Sequence, residues 1–301
     1  MNFAFARSAA LALSVDAFAF SAMAEATHLR PATAETAADS RQRLALAEEQ
    51  KTIVEEISEM SCLVAMDVGR AKYAAMIDEL AVRFDGVANA LRVGDEAFGV
   101  TGEEHASRVI KALNATDELW GPFKAAAAKM KQNPDGAGDD LKELLFEGDV
   151  ALLDVLSDLV VAVETAYANP ADLLLGDAVT IDIATRQEVL TQTVGKDMCL
   201  VALGWRADKH RETLGEAVQT FEATQTALID GMPAVGLKPA PTPEIKAALE
   251  GVSASWAALR PEIDATVGGG ALEPTALGAF IERNLSLLKE IEAAVALYKA
   301  L

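Results

Sequence analysis

Leu46, Gln50, Ile53, Ile57, Met60 and Val64 recur at steps of four and three residues. That is the rhythm of a helix burying one stripe along a bundle seam. Ile183, Gln187, Leu190, Val194, Asp197 and Val201 repeat it later in the chain. Gly69 and Gly204 predict a break shortly after each seam helix, and second helices follow over 70–92 and 206–230. Breakers then punctuate the chain at Gly94-Asp95, Asn133-Pro134-Asp135-Gly136, Pro239-Ala240-Pro241 and Gly268-Gly269-Gly270. The remaining helices are expected over 102–131, 140–168, 243–264 and 274–300. Thr101 with Glu104 reads as a capping box, and Thr242-Pro243 places proline at a first helical position. Val179 to Ile183 alternates like a strand, but it runs straight into the second seam and is read as helix. Amphipathic helices in sets of four bury their stripes as bundles. The expectation is an all-α protein of two tandem four-helix bundles.

The two sets also match residue by residue. Cys62-Leu63-Val64-Ala65 and Cys199-Leu200-Val201-Ala202 stand at an offset of 137, as do Gln50 with Gln187 and Phe84 with Phe221. Leu113 pairs with Leu249, and Trp120 with Trp256, at 136. Leu152-Leu153 and Leu287-Leu288 correspond at 135. A drift this small over about a hundred residues points to an internal duplication, with unit one at 38–170 and unit two at 175–301.

Composition narrows the setting. Hydrophobic residues make up 51% of the chain, enough for a packed core, and aromatics only 5%, which suits helices. With 46 acidic and 26 basic residues the net charge is −20. Such a surface opposes binding to nucleic acid or to anionic lipid. Residues 1–24 combine Arg7, an apolar run from Ser8 to Phe20 and an Ala22-Met23-Ala24 cleavage pattern. They read as a signal peptide, with 25–37 as a mobile N-terminus, so export to the periplasm is expected and direct membrane insertion is not. Cys62 and Cys199 then sit where pairing is permitted. They lie on the far side of each seam helix and could meet where two bundles touch. A bridge and two buried free thiols both stay open, and apolar helical surroundings favour the thiols.

Signatures of chemistry are absent. His28, His105 and His210 form no zinc spacing, and no cofactor motif is present, so neither metal, cofactor nor catalytic residues are expected. Glu103, Glu104 and His105 read as a solvated first turn, and His210, between Lys209 and Arg211, as part of a polar face. Ser286-Leu287-Leu288-Lys289 matches Ser-x-x-Lys, but its companion Lys-Thr-Gly is missing. A hydrolase therefore has almost no residue support. Gln50 and Gln187 carry more weight, because each places an amide on a buried seam. Either each fixes register through an inter-helix hydrogen bond, or each contacts a small ligand held between helices. Asp197 on the same seam makes unit two the better ligand candidate.

Ala184-Thr185-Arg186-Gln187-Glu188-Val189-Leu190-Thr191-Gln192 resembles the signature that opens the PilJ-type domain, the N-terminal sensory domain of type IV pilus methyl-accepting chemotaxis transducers. Leu203-Gly204, Phe221, Leu228, Gly231, Trp256 and Asn284 to Lys289 follow in the order that family shows. Unit one departs from it, with Glu49 in place of the arginine and Glu55 in place of the second glutamine. The resemblance implies a periplasmic four-helix sensory bundle related to nitrate and nitrite sensors. In those sensors an arginine contacts the anion, a role open here only to Arg186. Arg186, Gln187, Gln192 and Gln50 are thus the candidate ligand residues, for a small molecule or anion. A symmetric packing of the units would set Glu49 against Arg186 and Lys51 against Glu188. The family's membrane helix and signalling coiled coil are not among these residues, so output is expected through a membrane receptor or another periplasmic protein. The alternative is a structural or interaction module that has lost its ligand site.

Overall fold

A computed structural model describes residues 37–167 and 175–299. The expected signal peptide and nearly all of the expected mobile N-terminus lie outside them. Among the described residues there are nine α-helices and no strand, only the isolated bridges Asp95–Val100 and Met232–Leu237. The helices are α1 (Ala37–Ala65), α2 (Arg70–Val93), α3 (Ser107–Gln132), α4 (Asp139–Phe146), α5 (Gly148–Tyr167), α6 (Leu175–Leu203), α7 (Ala207–Asp230), α8 (Pro243–Val267) and α9 (Pro274–Lys299). The fold is all-α. Helices α1, α2, α3 and α5 pack as neighbours around one core, and α6, α7, α8 and α9 around another. Helices α1 and α6 also pack on each other along the junction, and all nine belong to one compact unit.

Element lengths repeat between the halves. The α1 and α6 helices both have 29 residues, and α2 and α7 both have 24. Both first corners carry the Val68 N–H to Leu63 carbonyl type of bond that closes a Schellman turn, with Trp205 and Leu200 as the second pair. The left-handed residues there are Asp67 and Gly69 in one half, at φ 58° and 53°, and Gly204 and Arg206 in the other, at 74° and 41°. Asp67 thus adopts in one half what glycine supplies in the other, a conformation aspartate tolerates better than most side chains. Each core holds a stacked aromatic pair: Phe84 on Trp120 with centroids 3.7 Å apart, and Phe221 on Trp256 at 4.0 Å. Each indole N–H donates to an acid next to the phenylalanine, Asp85 at 2.8 Å and Glu222 at 3.2 Å.

Three local expectations change. Helix α3 begins at Ser107 rather than 102, because Thr101 and Glu104 are taken by other partners. The Thr101 N–H donates to the Asp39 carboxylate at 2.6 Å, and Glu104 pairs with Arg43. Glu104 is 4% exposed, so the solvated turn read at 103–105 holds a buried acid. The single helix expected over 140–168 is two, divided at Glu147 and Gly148. At Thr242 the reading agrees: its hydroxyl accepts from the Ile245 N–H at 3.1 Å, with Pro243 opening α8. Val179 to Ile183 is helical, within α6.

Candidate functional site at the junction

The seam glutamines face their own bundle cores. Gln187 donates through Nε2 to the Phe221 carbonyl at 3.2 Å and to the Thr224 hydroxyl at 2.7 Å. Gln50 is fully buried, and neither end of its amide makes a hydrogen bond. The difference has a local cause: Val87 stands at the register of Thr224, so unit one lacks that hydroxyl. Next to Gln187 lies a cavity of about 10 Å³, bordered by Gln225, Leu249, Ile291 and Tyr298. That is room for roughly one water. Arg186, one residue before Gln187, is exposed, and Gln192 is fully buried on the junction side, where its Nε2 donates to Glu56 at 3.1 Å. Arg186, Gln187, Gln192 and Gln50 therefore occupy different surroundings, and no single pocket gathers them.

Cys62 and Cys199 are bonded, with their Cα atoms 6.1 Å apart. The favoured reading of two free thiols is corrected: the far sides of α1 and α6 face each other, so both sulfurs reach one point. The bond joins the last turns of α1 and α6, at positions 137 apart in the sequence. The charge exchange expected from a symmetric packing of the units does not form as written. Glu49 takes a two-pronged bond from Arg83, at 2.5 and 2.8 Å, and Lys51 pairs with Glu48 at 3.1 Å.

Flanking the disulfide is a buried charged cluster that the sequence reading passed over. The Lys196 ammonium lies 2.7 Å from Glu55 and 2.7 Å from Asp149. Burial opposes its charge, but Glu55, Asp149 and Asp197 hold its pKa well above the usual lysine range. Burial raises Glu55 to about 7, a rise that the Lys196 charge partly offsets. Asp197 is raised by burial and steadied by His210, whose Nδ1 lies 2.7 Å from its carboxylate. His210 is 4% exposed, so it belongs to the interior and not to a polar face. Its other nitrogen lies 3.4 Å from Glu147, which also pairs with Lys209.

On the other side of the disulfide the matching sequence positions carry different groups. Glu59 takes the register of Lys196, Gln192 that of Glu55, Asn284 that of Asp149, and Tyr73 that of His210. Tyr73 donates to Glu282 at 2.9 Å, with Lys72 on the same carboxylate, as Lys209 sits on Glu147. Glu59 is fully buried, and neither of its oxygens has a hydrogen-bond partner. Burial, then the charges of Glu56 and Glu55, push its pKa well above the ordinary value. Gly195 makes room for it, since a Cβ there would stand 2.6 Å from Glu59 Oε1. Glu56 is raised to about 7 by burial and by the charges of Glu292, Glu49 and Glu188.

Arg43, also passed over, holds the far end of unit one. Its five N–H donors go to Asp39, Glu104 and the carbonyls of Leu91, Thr101 and Gly102. With every donor engaged it has none left for an anion. The register position in unit two is Thr180. No group of histidine, cysteine and acidic residues among the described residues is arranged to hold a metal, and no described helix is long and apolar enough to cross a membrane.

Two sets of packed helices joined by a buried polar junction define an all-helical module among the described residues. Residues 173–279 match the PilJ family model, described as the type IV pili methyl-accepting chemotaxis transducer N-terminal domain. The match lies in the second half of the chain and spans α6 to α8 and the start of α9. No curated protein and no solved structure matches the chain.

Proposed function

We propose that this chain is an exported, non-catalytic sensory module that acts through a partner protein. In this reading its two halves descend from one copied bundle and pack as two receptor subunits would. The observation that carries it is the PilJ match over residues 173–279, the half that retains Arg186, Gln187 and Gln192. Matching helix lengths, corners and Phe–Trp stacks support the copying. Arg186, exposed on α6, is the residue on which a small anion would be read.

A second reading, an interaction module with no ligand of its own, is favoured by the filled seam around Gln187. A cavity of about 10 Å³ does not admit a metabolite. A thermal-shift screen of small anions and metabolites on the protein lacking residues 1–24 separates the two, since a ligand that binds only the native state raises Tm. The sensory reading expects at least one stabilising ligand whose effect is lost in Arg186→Ala. A flat response across the panel overturns it in favour of the interaction module.

A further inference from the structure

The junction holds more acid than base. Glu55, Glu59, Asp149 and Asp197 are buried in it, against the buried bases Lys196 and His210. Lys196 is committed to Glu55 and Asp149, each at 2.7 Å, and His210 sits on Asp197. Glu59 is left over. It is 0% exposed, and neither of its oxygens has a hydrogen-bond partner. Asn284, beside the same glycine, donates to the Thr191 carbonyl at 3.0 Å. A carboxyl without water, donor or counter-charge is held far more readily as the neutral acid than as the anion. Packing also denies it hydration. The α6 backbone meets Glu59 at Gly195, where even a Cβ would stand 2.6 Å from Oε1, so no water layer fits between the helices there.

We propose that Glu59 is a proton-binding latch between α1 and α6: it is a neutral acid while the two helices are packed, and release of its proton to solvent loosens their contact. Ionised Glu59 needs water, and water enters only if the α6 backbone moves off at Gly195. The disulfide, about one helical turn further along both helices, keeps their ends bonded meanwhile. A change of pH thereby becomes a change in how firmly the two halves hold each other. Glu55 and Glu56 on α1, Lys196 on α6 and Tyr73 on α2 face Glu59. Asp149 on α5 and Asp197 on α6 stand behind Lys196, and Glu282 on α9 behind Tyr73. The acids favour the bound proton, and Lys196 opposes it. An acid whose pKa is raised by folding stabilises the packed state fully at low pH, and that contribution is lost as pH rises through the raised value. This inference does not depend on the anion reading at Arg186.

The test is hydrogen exchange of the disulfide-bonded protein at pH 5, 7 and 9, corrected for the intrinsic rate and read over α1 and α6. Protection around residues 55–62 and 192–199 is expected to fall about tenfold or more from pH 5 to pH 9, and around the Phe84–Trp120 stack by less than about threefold. Glu55 and Glu56 release protons over the same range, so the decisive comparison is with Glu59→Gln, which keeps the shape of the neutral acid and cannot ionise. That variant is expected to fold, to melt above the parent at pH 8, and to lose most of the fall in protection. Equal protection of the parent at pH 5 and pH 9 overturns the latch. A fall of the same size in Glu59→Gln places the proton elsewhere and also overturns it. A Glu59→Gln protein that melts below the parent at pH 8, or does not fold, shows that the junction needs the anion and overturns the inference as well.

Discussion

Lys196 on α6 and Glu59 on α1 stand at an offset of 137, and their surroundings differ in kind. On the lysine side the ammonium has Glu55 and Asp149 each at 2.7 Å, and Asp197 has His210 at 2.7 Å. The glutamate side is open: neither oxygen of its acid has a hydrogen-bond partner. A common backbone therefore does not impose common electrostatics. Helix packing fixes where the side chains meet, and which charges meet there is free to diverge.

The contrast can be broken most forcefully at Lys196. Replacing it with methionine leaves Glu55 and Asp149 buried without their cation, a change that costs about 3–5 kcal/mol when one partner of a buried pair is removed. Urea unfolding of Lys196→Met is expected to show a loss of that size, and a loss below about 1 kcal/mol would mean that Glu55 and Asp149 do not rely on the ammonium.

Titration probes the same contrast more gently. Glu55 and Glu56 are raised from 4.5 to about 7, so between these values the folded state holds more protons than the unfolded chain. Their contribution is complete below pH 4.5 and is lost as pH rises to about 7. Melting is expected to be higher at pH 5 than at pH 8, and Glu56→Gln to reduce that slope. A Tm that rises across this interval would contradict the assignment.

The seam glutamines offer the finest comparison. Gln187→Leu removes two hydrogen bonds and is expected to cost about 1–2 kcal/mol. Gln50→Leu removes an amide that bonds to nothing and is expected to be neutral or mildly stabilising. Val87→Thr, by giving Gln50 the hydroxyl that Thr224 gives Gln187, is expected to make Gln50→Leu costly as well. Equal effects of the two leucine substitutions in the parent protein would show that the halves do not differ here.

The helices were legible because each buries a stripe whose spacing survives in the sequence, as in Leu46 to Val64. What escaped was set by partners distant in the chain. Thr101 and Glu104 have the local form of a cap, yet Asp39 and Arg43, some sixty positions earlier, claim them. His210 looked polar because Lys209 and Arg211 flank it, but a helix turns about 100° per residue and points it inward. The junction was hidden because α1 and α6 are buried on two faces, and a single seam pattern describes only one. The departure of unit one at Glu55, and the pairing of Lys196 with Glu59 at the 137 offset, were the available signals. The candidate ligand residues were legible as a motif but not as a place, since neighbours along a helix diverge around it.

The covalent link joins the last turns of α1 and α6. A tether there keeps those two ends from parting, while the rest of the contact between the helices is left to packing and to the buried charges along it.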